Sequence, residues 1–383
     1  MKVALVHDWL TGMRGGEKCL EAFCTLFPNA DIYTLLHTPK SVSPEIEKHS
    51  IRTSFIQHLP ASDRKYQYYL PFFPMAIASF DLSGYDLILS SSHCVAKGVC
   101  VPASTCHIAY IHTPMRYIWD QYDIYFNGET ASIPVRAAMK IVRPYLRHWD
   151  LSSNDGIDAF IANSAFVAER IKRCYNKKAD VIYPPVDYER FSAASGNDGF
   201  YLMVTALVPY KRVDLAITAF NRLKRPLHII GSGQDEMRLK NLAGETITFL
   251  GRQSDEAVGS AYANCRALVF PGEEDFGIVP LEAMASGKPV IAYGKGGVLE
   301  TVVPLGSSSH PREAPTGLFF YQQTADSLCD AILYFEKHQA QFDPIKIRQH
   351  IRSFREDRFK SEMTRYIEKT FQAFCEGENA QTT

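Results

Sequence analysis

No charge of either sign dominates this 383-residue sequence. Forty-one Lys and Arg stand against 42 Asp and Glu, for a net charge of −1. A global field that would gather nucleic acid or coat an anionic membrane is therefore excluded. The nine cysteines include no Cys-x-x-Cys pair, so a zinc ribbon or a dithiol redox motif is excluded. Their odd, scattered count fits a reducing cytosol in which thiols serve as small core hydrophobes. No run approaches the ~20 apolar residues of a membrane span. Met1-Lys-Val-Ala-Leu-Val6 is too briefly apolar for a signal peptide. The expectation is a cytoplasmic protein, soluble or peripheral at the inner face of the membrane. Gly-x-Gly-x-x-Gly and Gly-Lys-Ser/Thr are both missing, which argues against a nicotinamide dehydrogenase and a P-loop nucleotidase. No Asp-x-Asp constellation stands out, and no metal ligands are expected.

What the chain does contain is alternation. Short apolar runs at Val3–Val6, Asp31–Leu36, Tyr85–Ser91, Cys106–Ile111 and Gly156–Asn163 read as strands. A second series follows at Tyr201–Thr205, Leu227–Ile230, Ile247–Leu250, Ala267–Phe270, Pro289–Ala292 and Gly317–Phe320. Helical spacings separate them, as in Glu17–Phe27 and Ala165–Tyr175, the latter capped by Asn163 or Ser164. Strand–helix alternation of this kind predicts an α/β chain of two doubly wound parallel sheets. Pro184 and Pro185 mark the linker. The expected domains are 1–190 and 195–356, with a C-terminal helix over 357–383 crossing back to the first.

The stretch Pro271-Gly-Glu-Glu-Asp-Phe-Gly-Ile-Val-Pro-Leu-Glu-Ala-Met-Ala-Ser-Gly287 organises the second half. It follows a buried strand and reads as an acidic loop leading into a short helix. Pro280 suits the first helical turn and Gly287 the position past the helix end. The amides of Gly277, Ile278 and Val279 then face outward at a helix N-terminus, a site for phosphate oxygens. Glu274 and Glu282 are placed to accept hydrogen bonds from polyols, since ionised carboxylates only accept.

That string resembles the signature of the family-four retaining glycosyltransferases of GT-B fold, with two Rossmann-like domains facing a cleft. The resemblance implies a nucleotide-diphosphate sugar donor, no metal and no other cofactor. It implies that Glu274 holds the donor sugar, Glu282 the ribose, and Lys211 the departing diphosphate, with Phe276 in the same donor loop. Lys211 lies in Ala206-Leu-Val-Pro-Tyr-Lys-Arg-Val-Asp-Leu-Ala216, where the family places an Arg five positions ahead of the Lys. Ala206 stands there instead, so Arg212 or Arg14 is left to supply the second cation. Phe249-Leu-Gly-Arg252, with Leu250, matches the loop beneath the nucleotide base. Gly231-Ser-Gly233 permits a close approach to a ligand, and Gly294-Lys-Gly-Gly297 with Glu300 lines the same cleft. Domain closure in such enzymes excludes water.

In the first half, Gly15 and Gly16 match the family's Gly-Gly loop near the donor phosphates. His112, in His-Thr-Pro-Met-Arg-Tyr117, matches a His that approaches the donor sugar. Arg116 and Trp119 are acceptor-side candidates. The stretch Arg64–Phe80 mixes cations with dense Tyr and Phe. It reads either as a surface for membrane or lipid acceptor, led by Phe72 and Phe73, or as a core hairpin broken by Pro71 and Pro74. The strings around His112 and Lys211 are most similar to bacterial mannosyltransferases of O-antigen and exopolysaccharide assembly. This implies hexosyl transfer from GDP-mannose to a polyprenyl-diphosphate-linked saccharide, within lipopolysaccharide or polysaccharide synthesis. A UDP-sugar donor, an epimerase or phosphorylase of the same fold, and a non-catalytic nucleotide-sugar binder fit the same residues.

Overall fold

The computed structural model describes residues 1–128, 131–191, 196–306 and 314–381. The chain divides into two compact units. The first is Met1–Pro185 together with Glu356–Thr383, and the second is Val186–Arg355.

The first unit holds seven strands: β1 Val3–His7, β2 Asp31–Thr34, β3 Ile51–Thr53, β4 Leu87–Ser92, β5 Cys106–Ile111, β6 Ala159–Ala162 and β7 Asp180–Val181. Their order is β3-β2-β1-β4-β5-β6-β7, with every pairing parallel. β4 and β5 are buried along their whole length, so their sequences run apolar without alternation, as central parallel strands must. Helices cover both faces. On one face, helix Gly15–Leu26 packs Cys19, Leu20 and Phe23 onto the sheet. On the other, helix Ile133–Ser152 and the segment around Tyr66–Ile77 share a core with Tyr33, Ile88 and Met115. Helix Ala165–Tyr175 is capped by Ser164, whose Oγ accepts from the Val167 amide at 3.1 Å.

The second unit has six strands: β8 Tyr201–Val204, β9 Leu227–Ile230, β10 Ile247–Gly251, β11 Leu268–Phe270, β12 Val290–Tyr293 and β13 Gly317–Phe320. They run parallel in the order β10-β9-β8-β11-β12-β13. Both units are thus doubly wound. Strand order reverses between β1 and β4 in one and between β8 and β11 in the other, the places where open α/β sheets receive ligands.

Helix Glu356–Gln381 belongs to the first unit. Phe359, Met363 and Ile367 lie in the cluster that covers β1 and β5. The Phe359 ring stands 5.6 Å from that of Phe23 and 5.9 Å from that of Tyr110. The helical register begins at Glu356, and Arg358 donates to the Tyr183 carbonyl at 2.8 Å.

Two local expectations are corrected. Gly15 and Gly16 are not a loop; they open the helix, with Arg14 in the N-cap position. Phe73 is not a surface residue. It is 2% exposed and packs near Trp9, while Phe72 is 49% exposed. Phe72 ends the 3-10 helix through Pro71 and Phe73 opens helix Phe73–Ala78, so the two successive rings fall on different sides. Replacing Phe359 with Ala should remove a buried ring from between two aromatic partners. The expected cost is about 3–5 kcal/mol, read as a lower urea midpoint for the first unit.

Candidate functional site

In the first unit, polar residues collect at the carboxyl ends of β1, β4 and β5. Asp8, directly after β1, is fully buried. Its Oδ2 accepts from the amides of His93 (2.7 Å) and Cys94 (3.0 Å), and its Oδ1 from Val95 (2.6 Å) and Ala96 (2.8 Å). His93 Nδ1 adds a fifth contact at 3.0 Å. Burial alone raises the Asp8 pKa, but the His93 charge and these hydrogen bonds overcome it and hold the group well below the carboxylate range. Burial likewise opposes protonation of His93, and the Asp8 carboxylate reverses the balance, so His93 titrates above its ordinary 6.5.

A hydrogen-bonded string crosses the same strand ends. His7 Nδ1 lies 3.1 Å from Ser91 Oγ, which lies 2.8 Å from His112 Nε2. His7 Nε2 is 3.9 Å from Glu17 Oε1. The Asn163 amide donates to the His112 carbonyl at 3.0 Å. Burial, then the neighbouring His93 and His7, push the His112 pKa down to about 3. His112 is therefore a neutral imidazole at neutral pH, fixed in place by Ser91. Gly16 lies over this string: a Cβ there would meet His7 Cε1 at 3.4 Å and His112 Nε2 at 3.6 Å. Gly15 has no such neighbour within 4 Å.

Arg116 lies half-buried in the turn after β5, and Arg14 is exposed. Trp119 serves the fold. Its indole N–H donates to Asp150 Oδ2 at 2.7 Å, and Asp150 in turn pairs with buried Lys97 at 3.1 Å.

In the second unit, Lys211 ends the short 3-10 turn Pro209–Lys211 after β8. Glu274 sits in the acidic loop after β11, and the Lys211 ammonium is ion-paired with its carboxylate. The side chains are 19% and 12% exposed. Such a pair offsets the desolvation of two partly buried charges. The loop is held from both sides by backbone. A Cβ on Gly272 would meet Lys211 Cα at 3.1 Å, and Cβ atoms on Gly296 and Gly297 would fall on the Glu274 and Asp275 carbonyls. The Gly297 amide donates to the Glu274 carbonyl at 2.9 Å. The Gly294–Gly297 segment thus packs on the acidic loop itself.

Gly277, with φ +87°, is the N-cap of helix Ile278–Ala285. The first amides of such a helix, at Ile278 and Val279, have no intrahelical acceptor. Glu282 lies in this helix, and the Tyr262 hydroxyl donates to its Oε2 at 2.9 Å.

Three expected donor residues have other duties. Phe276 is 4% exposed, with its ring 6.2 Å from that of Phe354. A side chain at Gly231 would fall on the Thr205 carbonyl, so the close approach there is of chain to chain. Arg212, the N-cap of helix Val213–Leu223 with φ +53°, turns its guanidinium to Asp214 (3.1 Å) and Gln323 (3.4 Å). Leu250, by contrast, is 37% exposed at the end of β10. Among the described residues, no group of three His, Cys, Asp or Glu is arranged to hold a metal ion. His7, Asp8, Glu17, Ser91, His93 and Tyr262 were not singled out from sequence. For His7, Asp8, Ser91 and His93 the available signal was a polar residue at the carboxyl end of an apolar strand.

Two doubly wound parallel sheets with functional groups at their switch points define the GT-B class, in two Rossmann-like domains. Residues 13–190 match the family model Glycosyltransferase Family 4, and residues 186–354 match Glycosyl transferases group 1. Residues 13–354 are thus spanned by glycosyltransferase family models, one on each unit. It is 28% identical to the human alpha-1,3/1,6-mannosyltransferase ALG2 over 183 residues, 38% of this chain and 44% of that one. It is 38% identical to the GDP-mannose-dependent alpha-mannosyltransferase of Mycolicibacterium smegmatis over 102 residues, 26% of this chain and 27% of that one. The chain thus spans less than half the length of either relative. Anabaena HepE, solved in complex with UDP and glucose, shares the fold with a TM-score of 0.69 and 17% identity, over 96% of this chain and 99% of that one.

The histidine environments have opposite signs and are separable by titration. The His112 ring protons should hold their NMR shifts from pH 8 down to about 4.5, given a pKa near 3. His93 should remain cationic above pH 6.5. The stability that its pairing with Asp8 adds is full below that value and is lost as pH rises through the raised pKa. Asp8→Asn should abolish that alkaline decline and lower stability by about 3 kcal/mol.

Proposed function

We propose that this protein is a retaining glycosyltransferase that moves an α-mannosyl group from GDP-mannose to a lipid-linked saccharide of bacterial O-antigen or polysaccharide assembly. The observation that carries the reading is the Lys211–Glu274 pair at the β8/β11 switch point, next to the N-terminus of helix Ile278–Ala285. The two named mannosyltransferase relatives favour mannose, and the second favours the guanosine donor.

The roles follow from charge. The donor diphosphate rests on the helix amides from Gly277 to Val279, where the helix dipole favours anions. Lys211 has three N–H donors, so it serves a phosphate oxygen while still touching Glu274. As the glycosidic C–O bond breaks, negative charge grows on the diphosphate and positive charge on the sugar ring. Lys211 meets the first and the Glu274 carboxylate the second, and neither group must reorganise. These charges do the work of a divalent cation, and the reaction proceeds without metal. Glu282, oriented by Tyr262, accepts from the ribose hydroxyls. Retention follows when the acceptor hydroxyl attacks from the face the diphosphate leaves, passing its proton to a phosphate oxygen. With Ala206 at the family's Arg position and Arg212 turned to Asp214, Lys211 bears the diphosphate charge with the helix amides alone. In the first unit, neutral His112 offers a hydrogen bond to a sugar hydroxyl without adding charge.

Calorimetry with GDP, UDP, ADP and dTDP in EDTA tests the reading. GDP should bind tightest. Glu282→Ala should weaken it roughly tenfold to a hundredfold, the worth of hydrogen bonds to a charged acceptor. Lys211→Ala should lower kcat by about 10²–10³. A preference for UDP would overturn the guanosine donor. No nucleotide binding would overturn the donor site.

A further inference from the structure

We propose that helix Ile133–Ser152 is a membrane-docking element that lies along an anionic lipid surface. The proposal does not depend on the sugar-transfer reading.

The helix divides into three strips at 3.6 residues per turn. Met139, Leu146 and Asp150 are buried against the first unit. On the outer side, Ile133 and Ile141 are 78% and 79% exposed, and Tyr145 is 49% exposed. They stand among the small or short residues Pro134, Ala137, Ala138 and Pro144. A third strip holds Arg136, Lys140, Arg143 and Arg147, at i, i+4, i+7 and i+11.

Its charge is one-sided. From Ile133 to Trp149 there is no acidic residue, and the one that follows, Asp150, is spent on Lys97 inside the core. Among the described residues, no carboxylate pairs with Lys140, Arg143 or Arg147. In a chain of net charge −1, this is a local concentration of positive charge.

The basic strip is also built. Arg143 donates from Nε to the Ile118 carbonyl at 2.9 Å, and its guanidinium lies 4.0 Å over the Tyr122 ring. Arg147 lies 4.2 Å over the Trp119 ring. Tyr122, Lys140, Arg143, Pro144 and Arg147 line an open hollow of about 520 Å³. Stacking holds the two guanidiniums in place, so little side-chain freedom is lost when a phosphate arrives.

Single isoleucines raised among small residues, flanked by cations without acids, fit the boundary between phosphate head groups and acyl chains. Among the described residues no helix is long and apolar enough to cross a membrane, so the contact is interfacial. A second set of exposed apolar residues, Tyr68, Phe72 and Met75, lies on the segment that packs Tyr66, Phe73 and Ile77 onto the same face of the sheet. It lacks a comparable row of unpaired cations.

Flotation of the full chain with vesicles of phosphatidylcholine alone, and of phosphatidylcholine mixed with phosphatidylglycerol, tests the proposal. Binding is expected only to the mixed vesicles, and it should weaken with salt. Lys140→Ala with Arg147→Ala should reduce partitioning roughly 25-fold, at about fivefold per cation near an anionic surface. Ile133→Ser with Ile141→Ser should also reduce it, while leaving its salt dependence intact. All four side chains are on the surface, so thermal melts should match the parent and exclude misfolding. Failure of the parent chain to float with the mixed vesicles would overturn the proposal. So would unchanged partitioning of both double variants, or loss of binding in Phe72→Ser alone. A solution dimer dissolved by the isoleucine changes, without vesicle binding, would reassign the face to a second copy.

Discussion

The acidic loop of the second unit exists in its observed form because backbone lies directly on backbone. Gly272 admits the Tyr210–Lys211 turn, and Gly296 and Gly297 admit the carbonyls of Glu274 and Asp275. A side chain at Gly296 or Gly297 would force the loop away from the β12 side. The clamp places Glu274 against Lys211, although the two come from different strand–helix connections 63 residues apart. It also delivers the chain to Gly277 in a left-handed conformation, from which helix Ile278–Ala285 departs. Ion pair, helix N-terminus and Glu282 therefore share one rigid origin. For a reaction whose charges separate in the transition state, rigidity of this kind is what electrostatic stabilisation requires.

The first unit solves a related problem with a carboxylate. Asp8 gathers four successive amides after β4, at His93 to Ala96. It thereby ties the carboxyl end of β1 to that of β4 at the strand-order switch. The cost of burying the charge is met by five donors, one of them cationic. The neighbouring string from His7 through Ser91 to His112 stays uncharged at its far end, because burial and two other imidazoles disfavour a proton on His112. One fully committed anion and one neutral imidazole thus sit side by side.

Much of this was legible in the sequence. Central parallel strands are continuous apolar runs, so β4, β5, β11 and β12 were placed within a residue or two. The resemblance singles out Glu274, Glu282, Lys211 and His112, and the structure puts Lys211 against Glu274. What was hidden has physical reasons. Strand β3 is only three residues long and carries no run. Helix Ile133–Ser152 went unread because Pro144 interrupts its pattern, and Pro normally breaks a helix. The Gly15–Gly16 helix start reads as loop in the sequence because glycine is a poor helix former. Arg64–Phe80 reads as surface or as core hairpin, and the structure divides the two rings between these readings, since the sequence does not show that Phe73 opens a new helix and turns inward. Glycines announced that something comes close, but not that at Gly231 and Gly296 the neighbour is the chain itself. Asp8 and Tyr262 were missed because their partners lie 85 and 20 residues away, beyond any local spacing rule.

The most direct test of the account is product analysis. The full chain, with GDP-mannose and a polyprenyl-diphosphate-linked saccharide in EDTA, should yield a mannosylated lipid. Its one-bond C1–H1 coupling should report an α-linkage, and the rate of product formation should fall about 10²–10³-fold in Lys211→Ala. A β-linked product, or formation only when a divalent metal is restored, would contradict the role given to the Lys211–Glu274 pair.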